Sequence, residues 1–80
     1  MYTLEMKRAF HSVIPPKNFN LQIVEHNVEG VFFLELIANE KEFVKLLDED
    51  KRSAVEYMIR VKNALEDNGA LVQLTRKALE

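Results

Sequence analysis

Apolar positions recur at two different periods along the chain, and the places where the period changes divide it into elements. Tyr2, Met6, Ala9, Phe10 and Val13 follow spacings of four, three, one and three, which line one face of a helix, while Glu5, Lys7, Arg8 and Ser12 fall elsewhere. The pattern predicts a helix over about Thr3 to Val13 with Thr3 as its cap. Pro15 and Pro16 end it, because Pro15 disfavours helical geometry at Ile14 and neither ring can donate to the helical ladder.

From Phe19 to His26 the period falls to two, with Phe19, Leu21 and Ile23 on one side and Asn20, Gln22 and Val24 on the other. Asn27, Val28, Glu29 and Gly30 form a turn-like break, and Val31 to Ala38 resumes as a strand rich in β-branched and aromatic residues. An antiparallel hairpin follows. One of its faces collects Phe19, Leu21, Ile23, Phe32, Leu34 and Leu36. The opposite face takes Val24, Val31, Phe33 and Ile37, with Glu35 as the only charge that the second strand sends there. That second face needs a cover, and only the N-terminal helix is free to supply one.

Asn39 followed by Glu42 is a capping-box-like start, and Phe43, Leu46 and Leu47 add a short apolar stripe, so a helix to about Leu47 is expected. Ser53 with Glu56 is a second such start. The acidic run Asp48 to Asp50 then reads as a kink or connection between two helices, the alternative being one long helix. Ala54, Val55, Met58, Ile59, Val61, Ala64 and Leu65 define the broad face of the last helix, and Asn68 with Gly69 supplies a left-handed stop near Asp67. Beyond Gly69, residues 70–78 fit a helical face or a strand. A third strand is favoured, because a two-stranded sheet is rarely stable without further pairing. Leu79 and Glu80 have the character of a cloning remnant and receive no role. The expected architecture is a single α+β domain, residues 1–80, in the order α-β-β-α-α-β, with the hairpin packed against helices.

Composition narrows the class. Eighty residues, 48% of them hydrophobic, suit one small domain whose apolar residues are mostly committed to folding. The absence of Cys removes disulfides, thiolate catalysis and thiolate metal sites, and it predicts a cytoplasmic, reducing setting. The run from Val31 to Ala38 is broken by Glu35 and is far short of the roughly 20 residues that span a bilayer, so no membrane association is expected. Nor is an export signal expected from the run Met1 to Arg8, which has no apolar stretch of the needed length. Thirteen acidic against eleven basic side chains leave no general attraction for phosphate.

Candidate chemistry is sparse. His11 and His26 stand in different elements without a His or Cys partner at metal-ligand spacing. Asp48, Glu49 and Asp50 lack the spacing, glycine and terminal glutamate of a calcium loop, so a solvated connection is their simpler reading. Gly30 and Gly69 build no phosphate loop, and neither Ser12 nor Ser53 sits in a nucleophile elbow. No enzymatic activity, cofactor or metal is expected. The surplus apolar face predicts instead a protein-interaction module that binds through Val24, Val31, Phe33 and Ile37 or through a strand edge, and that self-associates as a homodimer. The alternative is a nucleic-acid-binding module using Lys7, Arg8, Arg60, Lys62, Arg76 and Lys77, although no aromatic motif or loop of the known RNA-binding modules accompanies them.

Overall fold

Thr3 opens the first helix, its Oγ1 accepting the Met6 N–H at 3.1 Å. The computed structural model describes residues 1–17 and 19–78, and Leu79 and Glu80 lie outside the described residues. The elements are α1 (Leu4–Ser12), β1 (Leu21–Val28), β2 (Val31–Asn39), α2 (Glu40–Glu49), α3 (Ser53–Asp67) and β3 (Val72–Lys77). They form three helices and one three-stranded sheet in the expected α-β-β-α-α-β order. In the sheet β2 is central, antiparallel to β1 and parallel to β3.

Details of the hairpin differ from the sequence reading. Asn27 and Val28 belong to β1, and the turn is only Glu29 and Gly30, whose φ angles are both positive at 52° and 82°. Two positive φ values are what a type I′ turn requires, and its twist matches that of the strands it joins. The Asn27 side chain contributes by accepting the Gly30 N–H at 3.1 Å. At the other end Phe19 and Asn20 precede β1. Phe19 leaves the alternation and packs its ring between Phe43 and Tyr57, at centroid distances of 6.4 and 5.9 Å.

The helix boundaries follow local hydrogen bonding. Asn39 caps α2 by accepting from Lys41 and Glu42, and the helix runs on through Asp48 to Glu49 before it stops. Ser53, expected as a cap, instead lies inside α3 and donates to Asp50, while Asp50 also accepts the Arg52 N–H at 3.1 Å. The acidic run thus ends as a side-chain brace across the α2–α3 connection, and this keeps the Asp50 carboxyl below its ordinary pKa. At the far end of α3, Gly69 N–H donates to the Glu66 carbonyl and Ala70 N–H to that of Leu65. This Schellman motif needs a left-handed residue, which Gly69 supplies at φ 92°. Ala70 is then buried among the core side chains, and the chain emerges as β3, not as another helix.

All three helices pack on the same side. Leu34 and Leu36 of β2 are fully buried beneath Val61 and Leu65 of α3, Phe43 and Leu46 of α2, and Met6 of α1. Removing each such aliphatic side chain from water stabilises the fold by about 1.5–3 kcal/mol. The N-terminal helix, the one element free to cover the second sheet face, packs against α3 and sends Phe10 to this same core, with Tyr2 and Val13 joining from its two flanks. The cover expected from the sequence is not there, because α1 finds its apolar partner in the helix layer.

Candidate functional site

Cross-strand register determines which side chains share the uncovered face. Val28 stands opposite Val31, His26 opposite Phe33, Val24 opposite Glu35 and Gln22 opposite Ile37, while β3 adds Gln73 beside Glu35 and Thr75 beside Ile37. Val24, Val31, Phe33 and Ile37 therefore lie on one face, as the alternation requires. They differ in access. Val31 is 52% exposed and Phe33 half-buried, but Ile37 is only 3% exposed because its neighbours close over it. Ile37 is a support beneath the face and offers little contact area itself. Beside Phe33, the chain entering β3 forms a shallow hollow lined by Phe33, Leu71, Val72 and Gln73.

Polar side chains hold the middle of this face. His26 Nε2 lies 2.8 Å from Glu35 Oε1, and the Thr75 hydroxyl donates to Glu35 Oε2 at 2.7 Å. The three residues come one from each strand, so the carboxylate ties β1 and β3 to β2. Thr75 donating to Glu35, His26 beside it and the positive charge of Lys77 together hold the Glu35 carboxyl below its ordinary value of 4.5. The imidazole also stacks on Phe33, with ring centroids 4.7 Å apart and planes 18° from parallel. Phe33 is consequently held in place by a ring that is itself anchored to a carboxylate.

His26, Glu35 and Thr75 were not singled out together by sequence spacing. Once Glu29 and Gly30 are known to be a two-residue turn, paired positions in the hairpin sum to 59, which puts His26 opposite Phe33 and diagonal to Glu35. Thr75 could not be added without the register of β3, which no local pattern specifies. Both Glu35 oxygens are engaged, one by His26 and one by Thr75, so the arrangement braces the three strands against one another.

The remaining candidates are scattered. His11 lies in the last turn of α1 with its ring against Phe10, and Asp48 to Asp50 close α2. No group of three metal-ligating side chains occurs among the described residues. The basic residues do not converge: Lys7 lies over the Tyr2 ring, Lys62 pairs with Glu66, and Arg76 pairs with Glu40 while covering Phe43 from the helix side. No helix among the described residues is long and apolar enough to cross a membrane. Comparison of the chain with protein-family models, with curated proteins and with solved structures finds no match, so the functional reading is built on the geometry of this face.

Proposed function

We propose that the chain is a protein-interaction module whose docking surface is the sheet face turned away from the helices, centred on Phe33 with Val24 and Val31 beside it. The observation that carries the reading is the bare face itself, since three helices crowd one side of the sheet and leave the other uncovered, with Phe33, Val24 and Val31 set around a polar brace. The partner such a face suits is a protein with an apolar, weakly charged surface. Glu35, its main charge, is already paired, and a central aromatic rimmed by small apolar and amide side chains is the composition of an interface centre. A Cys-free chain of this kind suits a reducing, cytoplasmic setting and a regulatory or adaptor role.

One observation favours a second reading: the His26–Phe33 stack is a flat platform of the sort on which unpaired nucleobases stack. Against it stands the shortage of cations on that face. Lys77 is the only Lys or Arg that the strands direct there, and it lies near Glu35, so phosphates would find little attraction. Affinity capture with the unmodified protein and with Phe33→Glu, alongside gel-shift assays with random single-stranded and duplex nucleic acids, separates the two. A protein retained by the first and lost by the second supports the interaction module. Salt-sensitive retardation of nucleic acid at micromolar protein replaces it with the second reading.

A further inference from the structure

A second apolar surface lies on the opposite side of the molecule, where α3 meets the outer edge of β3. Val55 and Ile59 of α3 are 42% and 46% exposed, and Leu74 of β3 is 40% exposed. They line one groove of about 270 Å³ together with Phe43, Met58, Thr75 and Arg76. The strand bordering the groove is an edge. Leu34 N–H donates to the Leu71 carbonyl at 2.8 Å, and Leu34 and Val72 are paired in a parallel ladder. Backbone groups alternate in direction along such a strand, so Gln73 and Thr75 turn theirs toward β2, while Val72, Leu74 and Arg76 turn theirs outward. Among the described residues no strand pairs with that outer side.

Charge on α3 points to what fills the groove. Arg52, Glu56, Lys62 and Glu66 lie on the same outward stripe as Val55 and Ile59, and they form two ion pairs along the helix, Arg52–Glu56 at 3.4 Å and Lys62–Glu66 at 3.0 Å. Read in the antiparallel direction about Ile59, the stripe is complementary to itself. Residues equidistant from Ile59 carry opposite signs: Glu56 mirrors Lys62, and Arg52 mirrors Glu66. We propose that the groove is filled by a second copy of this chain, related by a two-fold axis that passes Leu74 of β3 and Ile59 of α3.

The two halves of this joint agree. Antiparallel pairing of the two β3 strands about Leu74 sets Leu74 against its own copy and Val72 against Arg76, all residues whose backbone groups point outward. Because every pair involves the same parity, the helices of both copies stay on one side of a continuous six-stranded sheet. Paired strands lie about 4.8 Å apart. Helices each set back from that seam by about 2 Å reach the 8–10 Å at which helices pack, with Ile59 and Val55 between them. Leu74 already lies beside Val55 and Ile59 within one chain, so one axis serves both strand and helix. No charge on the α3 stripe meets its like. The proposal uses residues distinct from those of the open face and does not depend on what that face binds.

Light scattering and sedimentation over about 1–100 μM should give twice the 9.3 kDa chain mass, with dissociation on dilution. Ile59→Glu should raise the dimer dissociation constant by about tenfold or more, since truncating or charging a central apolar contact costs at least 1.4 kcal/mol, a tenfold change. Circular dichroism checks that this variant is folded. A register test does not rely on it: Glu56→Lys and Lys62→Glu each place like charges across the axis and weaken self-association, and mixing the two variants restores dimers as hetero-pairs. A monomer for the unmodified protein at 100 μM overturns the proposal. So does a dimer that a folded Ile59→Glu leaves unchanged, one that only Phe33→Glu dissolves, or a failure of the mixed variants to recover.

Discussion

Gly69 shows how a single residue decides an element. At φ 92° a β-carbon would meet no neighbouring atom, so the cost of a side chain there is conformational and not steric crowding by the rest of the fold. Gly69→Val should destabilise the protein by about 1–2 kcal/mol, read as a lower denaturation midpoint. An unchanged midpoint would mean that the left-handed stop is not needed to release β3. Glu35 is the corresponding residue of the open face. Folding lowers its pKa, because Thr75 and His26 hydrogen-bond to the carboxylate. Below the ordinary value of 4.5 the unfolded chain therefore binds more protons than the folded one. The contribution to stability is complete above that value and is lost as pH falls through the lower, folded value. Glu35→Gln should make the melting temperature fall less steeply between pH 5 and pH 3. Parallel curves for the two proteins would show that the carboxylate is not held as described.

Elements reveal how much of the fold can be read without coordinates. Thr3, Asn39 and Gly69 act within a few residues of themselves, through caps and a left-handed turn, and each marks its boundary in the sequence. Asn39→Ala should cost about 1 kcal/mol, since two amides at the start of α2 lose their acceptor. A thermal unfolding curve matching the unmodified protein would contradict this. Ser53 had the same local signal and took another role, because its hydroxyl donates to Asp50, which also accepts the Arg52 amide, and the helix begins at Ser53 itself. The alternation in β1 and β2 was sufficient to place Val24, Val31, Phe33 and Ile37 on one face. It could not show that Ile37 is closed over, nor that β3 runs parallel to β2. Both depend on side chains distant in sequence, Thr75 standing 38 residues beyond Ile37. The groove of Val55, Ile59 and Leu74 was hidden for the same reason: within α3, Val55 and Ile59 belong to the broad apolar face, and only packing shows that they lie at its outer margin.

At the scale of the molecule, the layer of helices explains why one sheet face is left bare. α1 is short, and its apolar stripe is satisfied by α3 and the common core, so among the described residues no helix remains for the other side. Joining two chains at β3 would extend that bare face without covering it, giving two Phe33 sites on one sheet. The central claim is that this face, anchored by His26 on Glu35, binds another protein through Phe33. His11→Ala and Asp48→Ala, both remote from it, should leave binding of the captured partner within about 0.5 kcal/mol, as exposed substitutions outside an interface do. The most direct measurement is a titration of that partner against Phe33→Ala, with circular dichroism on the same sample. Binding weaker by about 2 kcal/mol or more in a folded protein is the predicted result, and unchanged binding by a folded Phe33→Ala protein would contradict it.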